Sequence, residues 1–326
     1  MTTSQKILRT FQQCAVLIEI PKGDNYPGPI GTGFFINNTS DENIFYFFMT
    51  NHNFWRYHDK DKEGKYKGGL YAKNKNINMD EVRKRISDYF IYFPEYDDKD
   101  EFIGVGEMPL PPFFIESLII PTCGENFGDK DSNKLNEDDF CILKIDFNIN
   151  KEKEKYNEIS DELKSKIKKL SYSKFSDNEK IESIVKNKYT VSVTGFPIEE
   201  RNTDLDYNAY ECKMHFRYST AFVEIDGLER NSFLKLNKLR KKNGDTYKDF
   251  PTEMNGLSGS PLLYNSNNQP IVLGMLILGG DLDSPYAGTA YAISINHLLM
   301  RIKDTQYVTE IKNPSFINFF QVCISA

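Results

Sequence analysis

The chain has 326 residues, a formal net charge of −6 at pH 7 and a mean hydropathy of −0.54. With 39% hydrophobic residues, it is long enough for two domains or one large two-layered domain with a substantial core. The acidic balance argues against a nucleic-acid-binding surface. No apolar run reaches the ~18 residues that a membrane span needs. Neither nucleic acid nor a membrane is therefore an expected partner.

The cysteines and the N-terminus indicate the compartment. The 5 cysteines are odd in number and far apart, and none forms a C-x-x-C pair. Reduced, mostly buried thiols fit this pattern best, and a zinc site with cysteine ligands is not expected. The opening MTTSQKILRTFQQCAVLIEI lacks the long apolar core and the small-residue cleavage site of a secretory signal. We therefore expect a cytoplasmic protein.

The first half of the chain has the pattern of a β-domain. Its short apolar segments are rich in Phe, Tyr and Ile, which favour strands, and polar or glycine-containing turns separate them. The predicted strands are residues 14–20, 34–37, 44–50, 86–93, 113–120 and 138–147. Residues 59–79 are rich in Lys and Gly and are predicted to form a solvated loop.

A helical pattern with high charge density follows from Asn148 to Lys188. Four apolar residues fall on one helix face: Ile159, Leu163, Ile167 and Leu170. The sequence SDNE at 176–179 has the spacing of a capping box. We interpret 149–188 as an insertion, which is either a solvated decoration on a connector or a docking surface for a regulator.

The β pattern then returns, which suggests four regions in the chain. The predicted strands of this half are 189–197, 219–225, 261–265, 270–280 and 290–295, and a helix follows at 295–302. Strands in both halves, joined by short turns, predict two β-barrels or sandwiches in series. The predicted regions are a first β-domain at 1–148, the insertion at 149–188, a second β-domain with the helix at 189–307, and a tail at 308–326.

The segment NGLSGSPLL, residues 255–263, carries most of the functional signal. A nucleophilic serine in acyl transfer needs its hydroxyl on a tight turn, with backbone N–H groups aimed where the oxyanion will form. Gly256 and Gly259 would give the turn around Ser258 that freedom, and Pro261 would fix its exit into the next strand. Taken alone, the same pattern also fits a plain Gly/Ser turn between strands.

Together with segments elsewhere in the chain, this motif resembles the chymotrypsin-like (trypsin-fold) serine peptidases, in the branch without disulfides. GLSGSP matches the G-x-S-G-[SG]-P motif of that family. The other matching segments, in the family's chain order, are GTGFFI at 31–36, DFCILKI at 139–145, VTGFP at 193–197, VLGMLILGG at 272–280 and AYAISIN at 290–296. The resemblance implies an all-β fold of two six-stranded antiparallel β-barrels, with a helical insertion between them and a C-terminal helix.

The resemblance also implies a reaction and its residues. Ser258 would be the nucleophile, the N–H groups of Gly256 and Ser258 would form the oxyanion hole, and Asp139 would orient a histidine base. The implied function is that of an intracellular serine endopeptidase acting on protein or peptide substrates. No metal or organic cofactor is needed. Because the family's zymogen-type N-terminus has no counterpart here, any control is expected to be conformational or by a regulatory protein partner.

The identity of the base is open, because the family pattern T-x-x-H is one residue short here. The chain reads Thr50-Asn51-His52, so an ungapped match puts Asn53 in the position of the base. In one account the turn is shortened and His52 serves as base. In the other, Asn53 occupies the position, and the protein is an inactive pseudoprotease that binds peptides or proteins, since Asn cannot act as a general base.

The remaining polar candidates are assigned structural or substrate-binding roles. His58 is predicted to lie on the surface, His215 and His297 to be structural, and Asp138 to be solvated on the strand face opposite to Asp139. The basic run 235–242 is predicted to be a solvated loop.

Correspondence with the family places five residues at the substrate-binding pocket: Thr252, Leu276, Ile277, Gly279 and Ala290. Thr252 stands where trypsin-like enzymes carry an Asp, and Leu276 and Ile277 occupy the strand on which glutamyl endopeptidases carry a His. Because neither charged feature is present, a small or apolar side chain is expected before the scissile bond.

Overall fold

A computed structural model describes seventeen stretches of the chain. They are 13–19, 28–38, 40–55, 86, 89–99, 102–105, 110, 114–120, 137–148, 157–196, 202–206, 211–215, 219–230, 232–238, 256–279, 289–304 and 308–310. These residues are mostly β, with few helices. Among the described helices, none is long and apolar enough to cross a membrane.

The described residues of the N-terminal half form eight strands and a short helix, and two further described helices follow them. The strands are β1 (Cys14–Glu19), β2 (Gly28–Asn37), β3 (Ile44–Met49), β4 (Tyr89–Tyr92), β5 (Pro94–Tyr96), β6 (Phe102–Val105), β7 (Ile115–Ile119) and β8 (Cys141–Asp146). The helices are α1 (Asn51–Trp55), directly after β3, and α2 (Asn157–Leu170) and α3 (Asn178–Lys186), after β8.

The C-terminal half contributes the remaining strands and the last helix. The strands are β9 (Thr190–Gly195), β10 (Asn202–Asp206), β11 (Glu211–His215), β12 (Ser219–Glu229), β13 (Phe233–Lys238), β14 (Pro261–Ser266), β15 (Gln269–Gly279), β16 (Thr289–Ser294) and β17 (Val308–Glu310). Helix α4 (Ile295–Lys303) lies between β16 and β17.

The first β unit is a sheet in the order β17-β7-β8-β3-β2-β1-β4, and all its described pairings are antiparallel. Its β2 and β3 read as continuous apolar runs because both faces of the sheet are buried. Phe35 and Phe47 pair across the strands and face the core of this unit, whereas Phe34 and Phe48 face the opposite side. The period-2 alternation of the strand therefore supplies two different cores from one sheet.

The second β unit is a closed six-stranded barrel in the order β12-β13-β16-β15-β14-β9. Its core consists of small and branched apolar side chains such as Val193, Leu234 and Ala292. The resemblance to the serine peptidases implies two six-stranded barrels. In the described residues the first unit instead combines six N-terminal strands with β17, and β4 and β17 form its edges. Beyond β4, the chain continues into the separate β5-β6 hairpin and contacts β4 through a single bridge between Ile91 and Leu110.

A third apolar cluster, here called the junction cluster, lies between the two units. From the first unit and the connector it contains Cys14, Phe34, Ile36, Phe48, Ile119, Phe140, Ile142 and Tyr172. From the barrel and α4 it contains Phe233, Leu263, Val272, Met275, Ile277, Tyr291, Ile293, Ile295 and Leu298. Because these side chains are almost fully buried, the two units pack against each other through an apolar interface.

The predicted insertion contains α2 and α3, and each helix packs on a different unit. The buried face of α2, which includes Leu163 and Ile167, belongs to the core of the first unit. Ile181 and Ile184 of α3 belong to the barrel core. The N-cap of α3 is Asp177, one residue later than the capping-box spacing suggests, and its side chain accepts a hydrogen bond from the N–H of Lys180 at 2.7 Å. These helices are therefore built into both cores and are not a solvated decoration.

The segment between α2 and α3 joins the two units through backbone hydrogen bonds. Tyr172 donates its N–H to the carbonyl of Phe35 in β2 at 2.9 Å. Four residues later, Ser176 donates to the carbonyl of Val272 in β15 at 3.0 Å. A short extended connector thus runs across the junction cluster and holds a strand of each unit.

Two predictions for the C-terminal half need correction. The basic run 235–242 begins inside β13, where Leu236 is in the barrel core and Lys235 pairs with Asp226 at 3.4 Å. The predicted tail begins with β17, which pairs with β7 of the first unit. The basic run was assigned from its polar composition, but a half-exposed strand tolerates polar residues on its outer face.

Candidate active site

The single turn α1 directly follows β3 and carries His52. Strand β3 ends at Met49, and the N–H of Phe54 donates to the carbonyl of Thr50 at 3.3 Å. The Phe54 side chain is buried and meets the ring of Tyr89 edge-on at 5.6 Å, while the Tyr89 hydroxyl donates to the Phe54 carbonyl at 2.9 Å. This packing fixes the turn and directs His52 away from the core of the first unit.

His52 presents both of its N–H groups to Asp139. The backbone N–H donates to Oδ1 of Asp139 at 3.0 Å, and Nδ1 of the imidazole lies 2.7 Å from Oδ2. Because an ionised carboxylate only accepts hydrogen bonds, Nδ1 carries a proton. In the neutral imidazole Nε2 is then the acceptor nitrogen, and it lies 3.4 Å from the hydroxyl oxygen of Thr50. The His52 side chain is 29% exposed and that of Asp139 12% exposed, so the pair is screened from water on one side only.

The pKa of His52 is raised above the ordinary 6.5. Burial of the imidazole acts to lower this pKa, but the negative charge of Asp139 and the hydrogen bond to it raise it by more. Protonation of His52 is therefore more favourable in the folded state than in the unfolded chain. Its contribution to stability is complete below the pKa of the unfolded chain and is lost as the pH rises through the higher folded pKa.

Asn53 lies on the other side of the turn and has a different partner. Its Nδ2 donates to the backbone carbonyl of Ser258 at 3.0 Å. Its side chain, which is 8% exposed, packs on Gly31, where a Cβ would lie 2.1 Å from Nδ2. The structure therefore places His52, and not Asn53, against Asp139.

The turn at 256–259 depends on two glycines with positive φ. Gly256 has φ of 86° and Gly259 has φ of 91°, a region that side chains with a Cβ rarely adopt. At Gly259 there is also no room, since a Cβ would lie 2.0 Å from the carbonyl oxygen of Thr32. The two glycines let the turn bend tightly against β2, and Ser258 between them is partly exposed.

Three carbonyls of this turn accept hydrogen bonds from within the protein. The Gly256 carbonyl accepts from the Thr32 hydroxyl at 2.7 Å, and the Leu257 carbonyl accepts from the N–H of Ser260 at 2.9 Å. The Ser258 carbonyl accepts from the N–H of Thr32 at 3.3 Å and from Asn53. In a trans peptide the N–H points opposite to the C=O. The N–H of Ser258 shares a peptide with the Leu257 carbonyl and therefore points away from the N–H of Ser260. An oxyanion donor needs such an N–H, directed away from the contacts within the turn.

The turn is also held from behind by β15. The N–H of Gly259 donates to the carbonyl of Leu276 at 2.8 Å, and the N–H of Leu276 donates to the carbonyl of Ser260 at 2.8 Å. The position of Ser258 is thus defined by backbone contacts with both β units. Preorganised backbone of this kind is what electrostatic stabilisation of an oxyanion requires.

Thr32 is a site residue that the sequence interpretation does not single out. It is fully buried, and its hydroxyl donates to Gly256 while accepting from the N–H of Phe196 at 3.0 Å. The only sequence signal of this role is that Thr32 is polar, in the stretch GPIGTGFFI whose other residues are apolar or glycine. It joins β2, the end of β9 and the 256–259 turn through one side chain.

The predicted substrate-binding residues are placed as follows. Leu276 and Ala290 belong to the barrel core, and Ile277 belongs to the junction cluster. Gly279 ends β15 opposite Ala290, and Thr252 lies outside the described residues. Because the three side chains pack inward, contacts of this part of β15 and β16 with a substrate would be made by the backbone.

Asp138 and His297 have partners outside this arrangement. His215 lies in β11, and His58 is outside the described residues. His297 in α4 accepts a hydrogen bond from Nε of Arg301 at 3.3 Å, and burial together with the Arg301 charge lowers its pKa. The prediction that Asp138 is solvated is wrong. It is 25% exposed and lies 4.0 Å from Arg301, because α4 covers this end of the sheet.

The site contains the groups that acyl transfer needs. They are a serine on a tight turn, an imidazole whose Nδ1 contacts a carboxylate, and the carboxylate that fixes the imidazole. Within the part of the chain that the structure describes, no three His, Cys, Asp or Glu side chains are grouped so that they could hold a metal ion. Comparison with known protein families and with curated protein sequences finds no match for this chain.

Proposed function

We propose that the chain is a serine endopeptidase that cleaves protein or peptide substrates through Ser258, His52 and Asp139. The pairing of both His52 N–H groups with the two oxygens of Asp139, at 3.0 and 2.7 Å, carries this proposal. Double fixation by a carboxylate, next to a glycine-bounded serine turn, favours a general base.

In the proposed reaction, Ser258 Oγ attacks the carbonyl carbon of the scissile peptide and its proton moves to Nε2 of His52. The N–H groups of Gly256 and Ser258 donate to the oxyanion that forms. The C–N bond then breaks, and the proton on Nε2 passes to the leaving amine. Water attacks the resulting ester, giving a proton to Nε2. The ester bond breaks, and Ser258 regains its hydroxyl proton from His52.

The hydrogen bond from Asn53 to Ser258 supports this proposal over a pseudoprotease with an asparagine in place of the base. The amide of Asn53 is already engaged with the Ser258 carbonyl, and His52 has the carboxylate partner. Under the pseudoprotease interpretation the described contacts of Asp139 with His52 would have no chemical role.

A fluorophosphonate probe tests the proposal, because it phosphonylates only a serine that a base activates. We expect covalent labelling of the wild-type protein, located to Ser258 by peptide mass spectrometry, and no labelling of Ser258→Ala. Ser260→Ala is the matched control. Ser260 is a buried serine two residues along the same turn, and we expect this variant to be labelled. Absence of labelling in the wild-type protein, with or without added peptide substrates, would favour the pseudoprotease.

A further inference from the structure

We propose that Asn53 is a positioning residue for the nucleophile, which it holds through the backbone carbonyl of Ser258. This inference rests on the proposed function and assigns a role to a residue that neither accepts nor donates the transferred proton. Asn53 Nδ2 and the N–H of Thr32 are here called the carbonyl clamp, since both donate to the Ser258 carbonyl, at 3.0 and 3.3 Å. The clamp connects the first β unit with a turn of the second.

The clamp acts on one peptide plane with two ends. The Ser258 carbonyl and the N–H of Gly259 belong to the same peptide, and that N–H donates to Leu276 at 2.8 Å. With donors on one end and an acceptor on the other, the plane cannot rotate without breaking a hydrogen bond. The peptide before it is held at its carbonyl end, where Leu257 accepts from the N–H of Ser260 at 2.9 Å.

Asn53 makes this contact from the residue that follows the base. His52 and Asn53 are adjacent in α1, so the same turn fixes the imidazole through Asp139 and the nucleophile turn through the clamp. The distance between base and nucleophile is then determined by one short element. Errors of about 1 Å in such a distance cost on the order of a hundredfold in rate.

Gly31 shows that the position of the Asn53 amide is specified by its surroundings. An added Cβ at Gly31 would lie 2.1 Å from Nδ2 and 2.6 Å from Cγ of Asn53. Because Gly31 is in β2 and has no positive φ, its lack of a side chain is explained by this contact and not by backbone strain. The glycine therefore makes room for the clamp.

The first experiment compares Asn53→Ala with Asn53→Asp, using the rate of fluorophosphonate labelling and thermal unfolding to confirm the fold. Asp has the shape of Asn but puts an oxygen where Nδ2 faces the Ser258 carbonyl. If the donated hydrogen bond matters, Asn53→Ala is labelled about 10- to 100-fold more slowly than the wild type and Asn53→Asp more slowly still. If Asn53 acts only by filling space, the order of the two variants reverses, which overturns the proposal.

The second experiment asks where the effect is exerted. In Asn53→Ala, NMR titration of His52 should give the wild-type imidazole pKa, because the Asp139 contacts do not involve Asn53. The ¹³C resonance of the Ser258 carbonyl should move, because it loses a hydrogen-bond donor. An altered His52 pKa, or an unmoved Ser258 resonance, contradicts the proposal. The His52 pKa and the Ser258 resonance are measured without the fluorophosphonate probe. An unlabelled wild-type protein would therefore count against the proposed function, and the two NMR measurements would still test the clamp.

A double-mutant cycle gives an independent check. Gly31→Ala should push the Asn53 amide aside and slow labelling by about as much as Asn53→Ala. In the Asn53→Ala background the same Gly31→Ala change should have less than about a twofold further effect, because the displaced group is gone. Additive effects would show that Gly31 acts on something other than the clamp.

Discussion

Asp139→Asn is the substitution whose effect on the site is predicted in most detail by the geometry. Two donors face this side chain, the backbone N–H of His52 at Oδ1 and the imidazole Nδ1 at Oδ2. An amide has one acceptor oxygen and one NH₂ group. The backbone N–H cannot change, so the amide oxygen must face it to avoid two opposed donors. The NH₂ then faces Nδ1, which becomes an acceptor, and the proton moves to Nε2.

That tautomer cannot accept the proton of Ser258, so the expected loss is the one associated with a misprotonated base, about 10⁴-fold in the rate of labelling. Loss of the charge should also lower the pKa of His52, because Asp139 is what raises it. The assay is the fluorophosphonate labelling rate together with the ¹⁵N shifts of the imidazole, which distinguish the two tautomers.

Asp138→Asn is the matched control, because it removes the same charge one residue earlier. Its carboxylate is 4.0 Å from Arg301 and faces α4, so we expect labelling within about threefold of the wild type. A loss of less than about tenfold for Asp139→Asn, or an imidazole with Nε2 still unprotonated, would refute the reasoning about the tautomer.

Four further predictions follow from the same contacts. The labelling rate should rise with pH around a midpoint above 6.5, because the base must lose a proton from a raised pKa; a midpoint below 6.5 would contradict the role of the carboxylate. Gly259→Ala should lower the free energy of unfolding by about 1–3 kcal/mol or more, measured by denaturant titration, from its positive φ alone; an unchanged midpoint would be evidence against the tight turn. Thr32→Val leaves the Gly256 carbonyl and the Phe196 N–H without their partner and should cost about 1–3 kcal/mol for each buried group; a cost below about 0.5 kcal/mol would contradict this. Asn53→His should slow labelling, since the larger ring meets Gly31, whereas faster labelling would favour Asn53 as the true position of the base.

The strands of the site were predictable from the sequence because their patterns are local. The apolar runs of β2, β3 and β15 are continuous because both faces of these strands pack against a β-unit core and the junction cluster. Strand β8 is apolar apart from Lys144 and Asp146. The same local patterns could not show that the first unit has open edges in its described residues. That depends on which distant segments pair, as when β17 joins β7 across more than half the chain.

The residues of the site divide in the same way. Two glycines mark Ser258, and the resemblance of DFCILKI to a strand of the serine peptidases points to Asp139. The spacing of the family's T-x-x-H pattern left His52 and Asn53 as alternatives for the base. The direction of a side chain in a single helical turn decides between them, and this direction is set by the buried Phe54 and Tyr89. Thr32 could not be assigned because its partners Gly256, Ser258 and Phe196 all lie far from it in the chain.

The central claim is that His52 activates Ser258, and the most direct test is the rate at which a fluorophosphonate modifies Ser258 in the wild-type protein and in His52→Ala. The account predicts that the wild type is labelled at Ser258 and that His52→Ala, with its fold intact, is labelled at least about 10⁴-fold more slowly. Labelling of both proteins at similar rates would contradict it.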